Sequence, residues 1–297
     1  RAQFNWQYIP TDLQLDAPLT YEGLSLARFV PVSLDGHMLD LDVQWTVPEF
    51  WEPLLIIVGA GGRAAWIGSD QLLDEATYAD VTSNRYHRAG ISQWEGRGGA
   101  FVHAEFQPAD WFTALGSVRI DLNTVTDPFL SPRLATVFTP AGRQHLRASV
   151  ARAFRKPAFA ETHLHPMVAF PEESPITGPG REDFQEFMSR AISNPDLPNE
   201  ELTSYEMGYM GHFIENRLTV FLDVYFNQLR KLNEVTLHLE PGQQGLPDLE
   251  ETTIRTEVTG RDQDFFGWEL GVRYAPAPGT LLLASWSHKE PFRAGLG

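Results

Sequence analysis

Two histidines one residue apart, His163 and His165, have the spacing to share a transition metal. In an extended segment, residues i and i+2 lie on one side, and imidazole suits zinc, copper, iron and nickel. A third ligand would have to be a carboxylate or another histidine, because the chain has no cysteine. The alternative is a pair of ordinary surface histidines. A second set of polar groups is spread along the chain: Glu206, Asp223, Glu269 and Arg273, with Arg147, Ser149 and Arg155. These fall at the polar positions of alternating segments. They read either as a wet wall satisfied by cross-strand pairs or as a surface that guides a polar ligand. Nothing supports covalent or hydrolytic chemistry. There is no nucleophile elbow, no Gly-Lys-Ser/Thr phosphate loop and no zinc-protease helix. The glycines at 59, 61 and 62 lie inside a strand pattern with no helix following, so they read as a kink or bulge. No catalytic residue, resident metal or cofactor is assigned.

Charge narrows the partners. The 297 residues carry 39 acidic and 23 basic side chains, a net charge of −16. Such a chain is a poor match for nucleic acid, which is held by clustered Lys and Arg. The absence of cysteine excludes a disulfide framework, a thiol nucleophile and Cys-ligated metal sites. The longest apolar run, Leu54–Val58, stops at Gly59, far short of the roughly 20 residues of a membrane helix.

The elements that must position these side chains are strands. Apolar and polar residues alternate through most of the chain, which is the period of a sheet with two unlike faces. In 39–47 every odd residue is apolar and every even one polar. Leu218, Val220, Leu222, Val224 and Phe226 oppose Thr219, Asp223 and Asn227; Trp268, Leu270, Val272 and Tyr274 oppose Glu269 and Arg273. The pattern predicts about twelve strands, at 2–9, 23–32, 37–47, 53–66, 97–107, 111–122, 129–139, 144–156, 203–213, 217–232, 265–275 and 280–289. They run to about ten residues, against five or six for an ordinary globular strand. Ten residues at ~3.3 Å, tilted by about 45°, cross the hydrocarbon layer of a bilayer. The expected fold is all-β: an antiparallel transmembrane β-barrel of the outer membrane, in part.

The connections alternate between tight turns, such as 108–111, 139–144 and 214–217, and long segments at roughly 68–95, 157–202 and 233–264. Tight periplasmic turns and long external loops are the barrel asymmetry. Residues 161–201 hold nine acidic and two basic side chains, and 234–264 hold eight and two. The acidity therefore belongs mainly to the external loops, where it would favour cations or divalent bridges to lipopolysaccharide. Loop aromatics Phe170, Phe184, Phe187 and Phe265 would either contact a ligand or pack the loops on one another.

Six segments resemble, in order and spacing, the barrel of TonB-dependent outer-membrane receptors. Residues 129–135 (FLSPRLA) are similar to the "SPRLA" strand, and 146–159 (LRASVARAFRKPAF) to the segment after it. Residues 194–200 (NPDLPNE) resemble the "NPDLKPE" entry, and 204–209 (SYEMGY) the "SYELGY" strand. Residues 216–227 and 267–274 (GWELGVRY) complete the series. The resemblance covers about 97–290 well. It implies a transporter and not an enzyme. Such a transporter binds a scarce nutrient, most often a ferric siderophore, and admits it to the periplasm with energy delivered through TonB. By this resemblance Arg155, His163 and His165 lie near the outer mouth as candidates for substrate contact. Glu206, Asp223, Glu269 and Arg273 face the lumen.

No plug domain, TonB box or C-terminal aromatic strand is recognisable. Residues 1–297 are therefore expected to be one incomplete barrel domain, with about half of the family's roughly 22 strands. Half a barrel leaves two unpaired edges, so an open, curved antiparallel sheet is expected. The competing reading is a soluble all-β protein that binds carbohydrate or another ligand. It requires the apolar faces to be packed into a core.

Overall fold

The structure is a computed structural model. It describes residues 1–13, 18–21, 24–29, 32–69, 91–140, 142–162, 168–172, 174–175, 177–181, 194, 196–238 and 253–294. In chain order the first strands are β1 (Ala2–Leu13), β2 (Pro18–Tyr21), β3 (Leu24–Phe29), β4 (Val32–Thr46), β5 (Leu54–Ser69) and β6 (Ile91–Ala109). Next come β7 (Phe112–Asn123), β8 (Phe129–Phe138), β9 (Gln144–Arg155), the single-turn helix α1 (Phe159–Thr162) and β10 (Val168–Ala169). The series ends with β11 (Glu200–Phe213), β12 (Leu218–Arg230), β13 (Asn233–His238), β14 (Thr253–Val258), β15 (Gln263–Tyr274) and β16 (Leu282–Ala294).

Eleven strands make one antiparallel sheet in the order β1-β4-β5-β6-β7-β8-β9-β11-β12-β15-β16. The sheet is not closed; β1 and β16 are its edges. This is the expected open wall with one correction. The predicted strand at 23–32 is not in the wall. Leu24–Phe29 pairs instead with β2 and β10 in a separate three-stranded sheet. The segment lies in the connection between β1 and β4, which pair directly with each other. Pairing of β1 with β4 leaves no wall position between them. A second small sheet, β13–β14, is built into the predicted loop at 233–264.

Register turns sequence alternation into two faces. Residues directly opposite one another share a face, so rows can be followed across the wall. One row runs Val43, Ala60, Ala100, Ile120, Leu130. Another runs Leu134, Val150, Tyr205, Phe226, Phe266. All are apolar. This face is open: Met207 and Trp286 are each 68% exposed. Among the described residues only Phe129 and Leu197 are buried hydrophobic side chains. A soluble sandwich would bury the apolar face as its core, and no such core is present among them.

Aromatic rings mark both ends of the apolar face. At the tight-turn end Trp51 packs on Phe106 with ring centroids 5.3 Å apart, and Trp111 on Phe138 at 5.5 Å. At the other end Trp66 stands opposite Trp94, and Phe226 meets Phe292 at 5.6 Å. Along β6 the rise from Phe106 to Trp94 is about 40 Å at ~3.3 Å per residue. Tilted by about 45°, that becomes roughly 28 Å, the thickness of a bilayer's hydrocarbon. The aromatic belts thus sit where an amphipathic ring meets lipid headgroups.

Candidate functional site

The opposite face of the wall carries the polar and charged side chains. Glycine decides how they lie. A Cβ at Gly59, Gly267 or Gly271 would collide with Phe101, Tyr225 or Phe221, the residue directly across the strand pair. The outer atoms of each ring fill the space over its glycine. At Gly99 the same space is filled by Arg119 and Asp121, and at Gly208 by Arg147 and Asp223. Arg119 grips Asp121 with its Nε at 2.8 Å, and Arg147 Nη2 reaches Asp223 at 2.7 Å. Arg63 Nε pairs with Asp40 on the next strand. Asp40, Arg63, Arg119 and Asp121, with Arg97 and Asp42, line a cavity of about 210 Å³ on this face.

The four predicted lumen residues all fall on this polar face. Glu206 accepts from the Ser204 hydroxyl at 3.2 Å and the Ser149 hydroxyl at 3.5 Å. Asp223 takes Arg147, and Glu269 stands beside Asp223 in register. Arg273 stands opposite Thr219. One row therefore runs Arg147, Gly208, Asp223, Glu269, Ser287.

The loop end of the wall is stitched by ion pairs. Arg155 uses both edges of its guanidinium. Nε and Nη2 donate to Glu200, the latter at 2.7 Å, while Nη1 and Nη2 donate to the two oxygens of Glu161 at 2.9 Å each. Glu200 also accepts from the Asn233 amide at 2.9 Å. In α1, Glu161 accepts from the Ala158 amide at 2.6 Å, the reach-back of a capping box. Its carboxyl is held below the usual range, first by the hydrogen bond from Arg155 and then by the Ala158 amide, against a partial burial that would raise it. Glu201 bridges Arg152 and Lys231. Arg152 in turn lies 4.8 Å above the ring of buried Phe129, which stacks on Phe154 at 4.6 Å.

Sequence reasoning did not single out Glu95, the most deeply buried carboxylate in the wall. Glu95 is 1% exposed and binds Asn123 Nδ2 at 2.7 Å, Arg97 Nε at 2.9 Å and Lys156 Nζ at 3.0 Å. It falls inside the predicted loop at 68–95, whereas β6 begins at Ile91. Lys156 follows β9, and two strands, β7 and β8, separate β9 from β6. The chain leaving β9 therefore leans over the polar face. Asn199 Nδ2 donating to the Asp127 carbonyl at 3.0 Å ties the returning end down beside it. His163, His165, Phe184 and Phe187 lie outside the described residues. Phe170 sits under Arg181 at 5.4 Å, and Phe265 under Lys289 at 4.4 Å. No group of three His, Cys, Asp or Glu among the described residues is placed to hold a metal.

Comparison with known proteins gives one consistent result. The family model described as TonB dependent receptor-like, beta-barrel, matches residues 2–294. The siderophore receptor PirA from Pseudomonas aeruginosa superimposes with a TM-score of 0.66 at 13% identity, over 98% of this chain and 46% of its own. A mutant of the ferric enterobactin receptor PfeA from the same organism, solved with enterobactin, gives 0.67 at 14%, over 98% and 41%. The FrpB iron transporter from Neisseria meningitidis gives 0.58 at 14%, over 88% and 36%. The chain spans less than half the length of each. No curated protein matches it in sequence. Matched over nearly its whole length by that one model, the chain belongs to the TonB-dependent receptor β-barrel family of the Gram-negative outer membrane.

Proposed function

We propose that this chain forms part of the barrel of a TonB-dependent transporter that imports a ferric siderophore, or a similar metal complex, into the periplasm. The observation that carries this reading is the pair of unlike faces. A continuous apolar face bounded by aromatic belts backs a charged face on the same strands. A sheet of this kind separates lipid from a wet interior. Siderophore receptors among its structural neighbours support the cargo class.

In this reading the protein does no covalent chemistry and is not an enzyme. Glu206, Asp223, Glu269 and Arg273 face the lumen, where they meet the plug or the passing complex. Arg155 acts through its neighbours: with four donor contacts taken by Glu161 and Glu200, it shapes the mouth. His163 and His165 belong to the same loop and remain the proposed contacts to cargo. TonB engages the part of the protein that carries the plug, and lipid and lipopolysaccharide cover the apolar face. Uptake of ⁵⁵Fe-loaded siderophores by cells with and without the full-length gene tests the reading. Energy-dependent uptake of at least one ferric complex that requires the gene and TonB is expected. Uptake unchanged by deletion across siderophore classes would refute it.

A further inference from the structure

Three side chains with metal-binding atoms meet on the polar face near the tight-turn end, away from the loops. His145 and His212 have ring centroids 6.0 Å apart in an edge-on arrangement. Each Nδ1 is already engaged: His145 with the Thr139 hydroxyl and His212 with the Thr219 hydroxyl, both at 3.1 Å. That leaves each Nε2 as the available donor atom. Held imidazoles of this kind are typical of metal sites, where a partner on one nitrogen fixes the other. Met210 stands directly opposite His145 in register and two residues before His212 on the same strand, so all three share a face. His145 and Met210 also line one cavity of about 420 Å³.

We propose that His145, Met210 and His212 bind a soft monovalent metal ion, Cu(I) or its analogue Ag(I). Charge and softness select this class. Two neutral imidazoles and a thioether offer no negative charge to a dication, and thioether sulfur selects Cu(I). The nearest carboxylate in the cavity, Asp223, is occupied by Arg147. The inference stands on these side chains alone and goes beyond the uptake reading, so either can fail without the other.

The test is anaerobic titration of the purified full-length receptor with Cu(I), buffered by the chromogenic chelator bathocuproine disulfonate. One Cu(I) withdrawn from the chelator per protein is expected. His145→Ala and His212→Ala should each weaken binding at least about tenfold, with Met210→Leu nearly as damaging. Met210→Leu preserves volume and hydrophobicity, so it keeps the test clear of misfolding. His103→Ala, on β6 and separated from β9 by two strands, should bind as wild type. Failure of the wild type to take Cu(I), equal binding by the Met210→Leu variant, or an equal loss in the His103→Ala variant would each overturn the site.

Discussion

Arg147 and Asp223 form an ion pair at 2.7 Å although their strands, β9 and β12, are not neighbours. Between them runs β11, and at the crossing point β11 presents Gly208. Any Cβ there would collide with both partners. The pair thus spans three strands because one residue has no side chain. Gly208→Val should cost about 1–3 kcal/mol through crowding. Arg147→Ala should cost under about 1 kcal/mol, since the pair is largely exposed. Thermal unfolding of the two variants in detergent separates these outcomes, and equal losses would show that the ion pair itself dominates.

The tight turn between β11 and β12 is strained. Ile214, Glu215 and Asn216 have φ of 50°, 56° and 67°. Asparagine tolerates this region, but a β-branched residue does not. Ile214→Gly should therefore stabilise the protein by about 1 kcal/mol, offset in part by the entropy of glycine in the unfolded chain. Chemical denaturation of the purified protein reads the sign.

Glu95 anchors the segment leaving β9. Replacing it with alanine removes the acceptor for Asn123, Arg97 and Lys156 at a buried position and should cost about 3 kcal/mol. Hydrogen exchange should show the loss of protection concentrated at 155–162. A uniform loss over the wall would mean that Glu95 supports the sheet and not the loop.

Acid should loosen the same region from its other side. Because Glu161 has a depressed pKa when folded, its contribution is present above the unfolded carboxyl value, about 4.3. It is lost as pH falls through the lower folded value. Limited proteolysis near Ala158–Thr162 should therefore accelerate below about pH 4 in the wild type. In Glu161→Gln it should be faster already at neutral pH, with a smaller further rise in acid that comes from Glu200, the other carboxylate on Arg155.

What could be read from the sequence was what depends on neighbours along the chain. Alternation in 218–226 and 268–274 assigned Asp223, Glu269 and Arg273 to the polar face, and the structure places them there. Alternation could not say that Leu24–Phe29 leaves the wall, because a short strand has the same period wherever it pairs. Nor could it supply partners. Arg155 meets Glu200 across 45 residues, and Lys156 meets Glu95 across 61. Such contacts follow from register and from the direction of a loop, neither of which is local. His145, Met210 and His212 escaped notice for the same reason: they are scattered in sequence and gathered only by the pairing of β9 with β11.

In a membrane the apolar face should meet lipid and the polar face water. These 297 residues have no cysteine, so once any cysteine elsewhere in the full-length receptor is replaced by serine, a single introduced cysteine reports without background. Leu222→Cys and Val224→Cys sit on the apolar face, and Asp223→Cys between them on the polar face. In the full-length receptor reconstituted into bilayers, a charged, water-soluble maleimide should label position 223 and leave 222 and 224 nearly untouched. A bilayer-soluble maleimide should give the opposite order. Equal labelling of all three by the charged reagent, or preferential labelling of 222 and 224, would mean that the apolar face does not meet lipid.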